Sequence, residues 1–301
     1  MTTVVALGGN ALTRRGERGT AAEQLANLRR AVAALRPLLD EDALVLTHGN
    51  GPQVGNELLR QERAAAEAPP LPLWLAVAQT QAEIGALIAS ELRVAVDGRD
   101  VACVLTHVRV ASDDPAFERP TKPIGPFYSE REAEQIRRER GWVMISDAER
   151  GHRRVVPSPA PLEIVELDVI RRLAAGGAIV VACGGGGIPV ARRGERLVGV
   201  DAVVDKDPAS ALLAAGLGAR RLVILTEVPG VYRGFGTASQ EEIRALTLEE
   251  AETLVPELPE GSMRPKVEAA LAFGGETLIT DFDRLPAALA GRAGTRVTDS
   301  R

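Results

Sequence analysis

Short apolar segments that end in glycine-rich turns recur along the chain and alternate with segments of helical spacing. Residues 3–7 and 43–51 are two such apolar segments, and residues 21–39 between them carry leucine and valine at helical spacing. Since consecutive parallel strands need a crossover connection, which is usually a helix, this order predicts a mainly parallel sheet with helices on both faces. We therefore expect an α/β fold, a three-layer αβα sandwich around a central sheet.

The same alternation continues along the chain. It predicts helices over residues 53–63, 73–96 and 165–175, buried strands over 101–108, 220–228 and 277–280, a strand that ends in glycines 184–187, and a hairpin over 192–200. Another helix opens at Asp205-Lys206-Asp207-Pro208, where we expect Asp207 as the N-cap and Pro208 at the first helical position.

Residues 111–161 differ in character from the rest of the chain. Prolines accumulate at both ends of this stretch, and charged residues dominate between 129 and 154. The stretch is too long for a simple connection between two elements. We expect a small subdomain inserted into the main sheet, with a polar helix around residues 129–140.

Composition argues against several classes of protein. The net charge is −5 and aromatic residues make up 3% of the chain, which disfavours nucleic-acid binding. No stretch has the apolar length of a membrane span, and the start does not have the pattern of a signal peptide. The three histidines are scattered, so we expect no metal-ligand cluster. Cys103 and Cys183 lie in apolar runs, which predicts two buried free thiols in a reducing, cytoplasmic setting.

Lysine occurs at three positions only. Of the 36 basic residues, Lys122, Lys206 and Lys266 are lysine, and the remaining 36 − 3 = 33 are arginine. Each lysine lies in a segment marked by proline or aspartate at a predicted element edge. An ammonium group is a compact, mobile charge, whereas guanidinium is a rigid fork, and a migrating phosphoryl group suits the former. We interpret the three lysines as functional; the alternative is chance.

Three predicted strands end in glycine-rich turns, at residues 8–10, 48–52 and 183–189. Ligands of open α/β sheets bind beyond the carboxyl ends of the strands, and glycine lets the backbone approach an anion closely. Three such turns together predict an anion-binding cleft, although a single one is usually only a tight turn. None of them matches a Walker A loop or the dinucleotide fingerprint.

Other polar residues near these turns admit two interpretations. His48 could act as a base, but a histidine tied to a nearby carbonyl is the favoured interpretation. Asp205 and Asp207 flank Lys206, which indicates either a capped helix with a local ion pair or a carboxylate that positions two lysines for phosphates. Serine nucleophile chemistry has little support, because no serine has a neighbouring His-Asp arrangement.

Seven segments resemble a known family. They are VVALGGNA, THGNGPQVGN, PTKPIGPF, VVPSP, CGGGGIPV, DKDPAS and GSMRPKVEAA. On these segments the chain resembles the carbamate kinases, within the amino acid kinase superfamily, from Val4 to the vicinity of Gly294. VVALGGNA and CGGGGIPV are partly shared across the superfamily, whereas THGNGPQVGN together with PTKPIGPF is specific to carbamate kinases.

The resemblance implies the reaction ATP + carbamate ⇌ ADP + carbamoyl phosphate, with Mg²⁺ as the cofactor. The resemblance also implies a homodimer, which agrees with the long uncharged stretches of the predicted helix over residues 73–96, since a monomer would expose that apolar surface. From composition we expect a cytoplasmic protein that binds neither nucleic acid nor membrane. Residues 1–200, with the subdomain at about 111–161, would form the lobe that binds carbamate and carbamoyl phosphate, and residues 201–301 would form the nucleotide-binding lobe.

The resemblance also implies roles for particular residues. The catalytic set would be Lys122, Lys206, Asp207 and Lys266. The set around carbamate and the phosphoryl group would be Gly8, Gly9, Asn10, Gly49, Asn50 and Gly51. The nucleotide-binding set would be Lys206, Thr226, Tyr232, Met263 and Lys266, and no residue is assigned to a resident metal.

Some alternatives remain open at this point. Glu227 and Pro229 stand where many relatives carry aspartate, which puts the ribose and adenine contacts in doubt. Rival functions are another kinase of the superfamily, acting on acetylglutamate, glutamate or UMP, and a catalytically silent nucleotide-binding regulator. The physiological direction is also open, since carbamoyl phosphate could be consumed to make ATP, as in arginine or purine-derived catabolism, or produced.

Overall fold

The computed structural model describes residues 1–14, 16–147, 151–259 and 261–299, and the side chains of Asn10 and Asp147 lie outside the described part. Its strands are β1 Thr2–Leu7, β2 Ala43–His48, β3 Val101–Cys103, β4 His107–Arg109, β5 Lys122–Tyr128, β6 Met144–Asp147, β7 Gly151–Val156, β8 Glu163–Ile164, β9 Ile179–Val181, β10 Ile188–Arg193, β11 Arg196–Gly199, β12 Arg221–Leu225, β13 Val231–Arg233, β14 Glu241–Ile243, β15 Ala245–Thr247, β16 Glu276–Thr280 and β17 Thr295–Thr298. Its α-helices are α1 Ala21–Ala34, α2 Gly51–Ala64, α3 Leu73–Ala95, α4 Glu130–Arg140, α5 Leu167–Ala175, α6 Lys206–Gly216, α7 Leu248–Leu254, α8 Arg264–Phe273 and α9 Leu285–Leu289.

The main sheet has the strand order β15-β17-β16-β12-β1-β2-β9-β3. From β16 to β3 every neighbouring pair is parallel, whereas β17 runs antiparallel to β16 and β15 runs parallel to β17. The predicted mainly parallel sheet is therefore confirmed. Because the chain crosses over repeatedly, β1, β2 and β9 become neighbours at its centre.

Helices cover both faces of this sheet. Along β1, Val4 and Ala6 belong to a hydrophobic core that includes residues of α5, α6, α7 and α8. Val5 and Leu7 point to the other face and belong to a core that includes residues of α1, α3 and α9. The alternation of side chains along a strand thus separates two cores, and the three-layer αβα arrangement is confirmed.

The stretch predicted to form a subdomain contains its own small sheet, in the order β5-β7-β6, together with α4. Ser129 and Glu132 form a capping box at the start of α4, and Gly141, with φ +66°, ends the helix in the left-handed conformation that glycine favours. The polar helix expected around residues 129–140 is confirmed. Gly55 of α2 and Gly125 of β5 meet so closely that a Cβ on Gly55 would lie 1.9 Å from Gly125 Cα.

Three local predictions need correction. Helix α6 begins at Lys206, and its N-cap is Asp205 rather than Asp207. The Asp205 side chain accepts a hydrogen bond from Asp207 N at 3.0 Å, so Pro208 falls at the third helical position and not the first.

Cys103, expected to be buried, is exposed, whereas Cys183 is buried. The strand predicted over 101–108 is interrupted, because Val101–Cys103 joins the main sheet and His107–Arg109 joins the sheet with the order β11-β10-β4-β8.

Helix α3, the longest element, packs one face against the sheet and exposes the other. Its buried residues include Thr80, Gln81, Ile84 and Ile88. Of the helices in the described ranges, none is both long enough and apolar enough to cross a membrane.

Candidate active site

A polar cavity of about 240 Å³ opens beyond the carboxyl ends of the central strands. Since β1, β2 and β9 are adjacent and parallel, the glycine turns that follow them lie at the same edge of the sheet. The cavity is lined by residues of the turn after β2 and the turn after β9, the start of β5, part of β7, the start of α6 and the start of α8. These residues are Gly49, Asn50, Gly51, Pro52, Lys122, Pro123, Arg153, Gly185, Val203, Val204, Asp205, Lys206, Asp207, Gly261, Ser262, Pro265 and Lys266.

The cavity contains seven of the residues that the resemblance singles out. These are Gly49, Asn50, Gly51, Lys122, Lys206, Asp207 and Lys266. Other predicted residues do not line it: Gly8 and Gly9 follow the neighbouring strand β1, Thr226 follows β12, Tyr232 lies in β13, and Met263 is buried at the start of α8.

Asp207 joins two of the three lysines. One carboxylate oxygen pairs with Lys206 Nζ, and the other accepts a hydrogen bond from Lys266 Nζ at 3.0 Å, although Lys266 is 59 residues away in sequence. Asp207 is 2% exposed, so both of its oxygens are used within the protein. Helix α6 supplies Asp207 and Lys206, and its packing against α8 brings Lys266 to them.

The two lysines on Asp207 differ in their electrostatics. Burial lowers the pKa of the Lys206 ammonium, but the carboxylates of Asp207 and Asp205 outweigh burial and hold that pKa above its ordinary value. For Lys266, burial and the neighbouring Lys206 ammonium together lower the pKa. Burial alone would raise the pKa of Asp207, yet the two ammonium groups hold it below its usual range.

Asp205 holds the third lysine. Its second carboxylate oxygen pairs with Lys122 Nζ at the start of β5, while the first oxygen caps α6. Burial alone would raise the pKa of Asp205, but the ammonium groups of Lys122 and Lys206 lower it further than burial raises it. The sequence interpretation assigned the organisation of the lysines to Asp207 alone, whereas the structure divides this role between two aspartates.

The charged side chains of the cavity favour an anionic ligand. Lys122, Arg153, Lys206 and Lys266 face only two carboxylates, so the lining residues carry an excess of two positive charges. Sequence reasoning missed Arg153, which is one of 33 arginines and has no distinguishing local pattern. Its Nε and Nη2 donate to the carbonyl of Gly125 at 3.2 and 2.9 Å, so the guanidinium is oriented by the strand that carries Lys122.

The two glycine turns of the cavity pack directly on each other. Gly185 has φ +64°, and a Cβ there would lie 2.2 Å from Nδ2 of Asn50. Asn50 is fixed in place because its Nδ2 donates to Thr80 Oγ1 of α3 at 3.0 Å. Glycine is therefore needed at this position both for its conformation and for the space.

Gln81 of α3, which sequence reasoning also missed, supports the turn after β9. Its Nε2 donates to the carbonyl of Gly184 at 2.7 Å, and its Oε1 accepts from Thr106 N at 2.6 Å. Thr106 Oγ1 in turn accepts from Cys183 N at 3.0 Å. These buried bonds fix the backbone that forms one wall of the cavity.

His48 lies behind the turn after β2 and does not line the cavity. It is 1% exposed, and its Nδ1 is 3.0 Å from the carbonyl of Gly49, so the interpretation of a histidine tied to a carbonyl is confirmed. Within the described residues its Nε2 has no hydrogen-bond partner. Burial lowers the pKa of His48 to about 4, against the smaller raising effect of the Gly49 bond, so the imidazole is neutral at pH 7.

We expect His48→Gln to flatten the dependence of stability on pH between about 6.5 and 4. The unfolded chain binds a proton at His48 below about pH 6.5, while the folded chain binds none until about pH 4, so acidification through this window favours unfolding. In the parent chain the effect is on the order of 3 kcal/mol.

The measurement is the urea midpoint at pH 7.5 and at pH 4.5 for both chains. His107→Gln is the control, because the Glu166 carboxylate raises the pKa of His107 against the lowering by burial, and its removal acts in the opposite sense. An unchanged difference between the two pH values in His48→Gln would show that His48 is not the group responsible.

Comparisons with known proteins agree with this geometry. A model described as the amino acid kinase family matches residues 1–277. A carbamate kinase of Halobacterium salinarum is 46% identical over 302 residues, which cover 98% of this chain and 97% of the relative. A carbamate kinase of Pyrococcus horikoshii is 42% identical over 308 residues, with 98% of each chain covered.

Solved structures give the same result. The structure of a carbamate kinase from Giardia lamblia bound to AMP-PNP is similar to this chain with a TM-score of 0.90 and 36% identity, and the match covers 99% of this chain and 98% of that one. The similarity extends through the small sheet of β5, β6 and β7 as well as the main sheet, since nearly the whole of both chains is included.

Proposed function

The chain belongs to the amino acid kinase family and, within it, to the carbamate kinases, and from this premise we propose that the cavity between Lys122, Lys206 and Lys266 is where the phosphoryl group passes between carbamoyl phosphate and ADP. The observation that carries the proposal is the arrangement of these three ammonium groups. Asp207 holds two of them and Asp205 holds the third, all within one cavity closed by the Gly49–Gly51 turn.

The proposed chemistry needs no general base. Carbamate already carries its attacking oxygen as an anion, so the site has to bring two anions together and stabilise the charge on the moving phosphoryl group. The excess positive charge of the lining residues suits this task. His48, the one histidine next to a glycine turn, is neutral and lies outside the cavity lining.

We assign the carbamoyl side to Lys122, Gly49, Asn50 and Gly51, with Gly8, Gly9 and Asn10 adjoining. Lys206 and Lys266 would hold the nucleotide phosphates. Thr226, Tyr232 and Met263 are proposed for the rest of the nucleotide, because β12, β13 and α8 all belong to the C-terminal part of the chain. A carbamate kinase of Giardia lamblia has been solved with AMP-PNP, which supports a nucleotide as ligand.

Mg²⁺ is proposed as the cofactor, entering with the nucleotide. In the described ranges no group of three metal-binding side chains is present, and the two aspartates of the cavity are each paired with lysine. These residues fit an ion whose ligands are mostly phosphate oxygens and water, which is the usual coordination of Mg²⁺ at nucleotide sites. When bound, Mg²⁺ would offset charge on the phosphates.

The assay of ATP formation tests the function directly. Mixed with ADP, Mg²⁺ and carbamoyl phosphate, the purified protein is expected to make ATP, because carbamoyl phosphate is a high-energy acyl phosphate and this direction is downhill. We propose that the protein also makes ATP from carbamoyl phosphate in the cell. We place it in the cytoplasm, a reducing compartment that would keep both free thiols reduced. ATP is measured by luciferase, and a chain with Lys206→Met is the blank.

In the forward assay acetylglutamate, glutamate, aspartate and UMP are expected to support no ATP consumption. Phosphorylation of UMP or of an amino acid, with no ATP from carbamoyl phosphate, would contradict the substrate. Binding of nucleotide with no turnover in either direction would indicate a silent regulator instead.

We also propose a homodimer that uses the exposed face of α3. Ala82, Ala86 and Ser90 form a stripe of small exposed side chains one turn apart, and Val94 at the end of the helix is 84% exposed. Small side chains let a second helix approach closely, and an isologous contact would cover Val94. Sedimentation is expected to give a dimer at micromolar concentration and a monomer for Ala86→Arg. A parent chain that sediments as a monomer would rule the dimer out.

A further inference from the structure

A second cavity, of about 440 Å³, lies on the far side of β7 from the catalytic cavity. One wall is α2, with Leu58 and Glu62, and the opposite wall is formed by residues 70–73 and Asp201. The small sheet contributes Arg154 of β7, and the connection between α4 and β6 contributes Trp142. Its volume is in the range of cavities that hold small molecules.

Arg154 is the cation of this cavity that has no opposite charge in contact. Its guanidinium lies 3.9 Å from the centre of the Trp142 ring, and the described residues place no carboxylate within ion-pair distance of it. Burial lowers the pKa of Arg154, while the negative charges of Glu62 and Asp201, which lie beyond ion-pair distance, raise it. A half-buried guanidinium in this state is a ready binding group for a carboxylate.

Two carboxylates, those of Glu62 and Asp201, also line the cavity. Glu62 pairs with Arg140, so this ion pair is neutral as a whole. Asp201 accepts one long hydrogen bond, from Trp74 N at 3.4 Å, and keeps most of its capacity to accept others. Arg154 has no carboxylate in ion-pair contact among the described residues, and Asp201 is exposed with a single protein hydrogen bond, so the cavity offers one positive and one negative binding group.

We propose that this cavity binds a small zwitterion of the α-amino-acid class. The carboxylate of the ligand would bind Arg154, its ammonium would bind Asp201, and its side chain would lie against Leu58, Leu73 and Val156. A simple anion would leave Asp201 unpaired, and a simple cation would leave Arg154 unpaired, so both are expected to bind more weakly.

The position of the cavity couples it to the catalytic one. Arg153 and Arg154 are consecutive on β7, and because successive side chains of a strand point to opposite faces, one lines each cavity. Lys122 is paired with Val156 of the same strand. A ligand that fixes β7 against α2 would therefore change the placement of Arg153 and Lys122, so its occupancy regulates the affinity for carbamoyl phosphate. This regulatory step rests on the proposed function, whereas the binding does not.

Binding is tested by fluorescence of the whole chain without substrates. The sequence has two tryptophans, so Trp74→Phe leaves Trp142 as the only indole, in the wall of the cavity, and keeps the backbone N–H that bonds Asp201. The probes are the twenty common amino acids at up to about 10 mM, a range that detects even millimolar dissociation constants. At least one amino acid with an apolar, non-aromatic side chain is expected to change Trp142 fluorescence in a saturable manner.

Matched variants and analogues identify the binding groups. Arg154→Met and Asp201→Asn are each expected to weaken binding at least about tenfold, as the loss of a charge-assisted hydrogen bond predicts, whereas Arg138→Met on the exposed face of α4 is expected to leave it unchanged. Thermal unfolding of each variant shows that the fold persists. The N-acetyl derivative and the amide of the bound amino acid, each lacking one charge, are expected to bind at least about tenfold more weakly.

The binding proposal is overturned if none of the twenty amino acids changes Trp142 fluorescence, if Arg154→Met binds as well as its parent, or if the N-acetyl derivative binds equally. The regulatory part is measured as the KM for carbamoyl phosphate with and without the bound amino acid, and an altered KM that returns to normal in Arg154→Met supports it. Saturable binding with an unchanged KM overturns regulation alone and leaves the proposed function intact.

Discussion

Lys206→Arg is expected to lower kcat by at least about a hundredfold, which corresponds to roughly 2.7 kcal/mol of transition-state stabilisation. Lys206 is enclosed on several sides: its ammonium pairs with Asp207, and a Cβ on Gly49 would already lie 3.5 Å from its Cδ. A guanidinium fork is larger and flat, and it cannot follow the phosphoryl group as a compact ammonium can.

Lys122→Arg and Lys266→Arg are expected to fail for the same reason, each with a loss of at least about a hundredfold. The measurement is kcat for ATP formation from carbamoyl phosphate in each variant. Arg60→Lys on the exposed side of α2 is the control for the exchange itself and is expected to turn over normally. Near-normal turnover in the three arginine variants would show that any cation suffices at these positions.

Gly185→Ala is expected to destabilise the chain by about 2–5 kcal/mol and to reduce turnover strongly. A residue with a Cβ at φ +64° is strained by roughly 1–2 kcal/mol, and the displacement of Asn50 adds about 1–3 kcal/mol of overpacking. Since Asn50 lines the catalytic cavity, its displacement moves the substrate-binding turn as well.

Gly98→Ala separates strain from steric conflict. Gly98 has φ +68°, nearly the same as Gly185, but a Cβ there would have nothing within 4 Å. It is expected to show the cost of the conformation alone, with normal kcat. Urea unfolding and kcat are measured for both variants, and equal values for the two would refute the steric argument at Gly185.

Periodicity was sufficient to predict the fold because each element buries its own apolar pattern. The strand-helix order of residues 3–51 predicted parallel strands, and the charged residues from 129 onward predicted the polar helix that the structure shows as α4. The start of α6 was predicted wrongly because Asp205 and Asp207 are both good caps. What decides between them is the pairing of Asp207 with Lys266, a contact across 59 residues that local sequence does not contain.

The candidate site was predictable where composition was unusual and not elsewhere. The three lysines stood out because the other 33 Lys and Arg residues are arginine, and all three line the catalytic cavity. Arg153 did not stand out, because it resembles every other arginine of the chain. Gln81 was equally inconspicuous, since its role depends on the packing of α3 beside the turn after β9. The glycines 184–187 were interpreted only as an anion-binding turn, yet Gly185 is also required by contact with Asn50.

The confinement of lysine to the cleft also determines how the protein responds to acylating reagents. The side chains of Lys122, Lys206 and Lys266 are 27%, 11% and 13% exposed, and the other 33 of the 36 Lys and Arg residues are arginine, whose guanidinium such reagents leave largely intact. Apart from the exposed α-amino group of Met1, which the same reagents modify, a lysine-directed label therefore acts on this chain as an active-site reagent. Its incorporation at lysine should track inactivation, and saturating nucleotide should protect against it. Attachment of the protein to a surface through lysine should be avoided in favour of cysteine at the exposed Cys103.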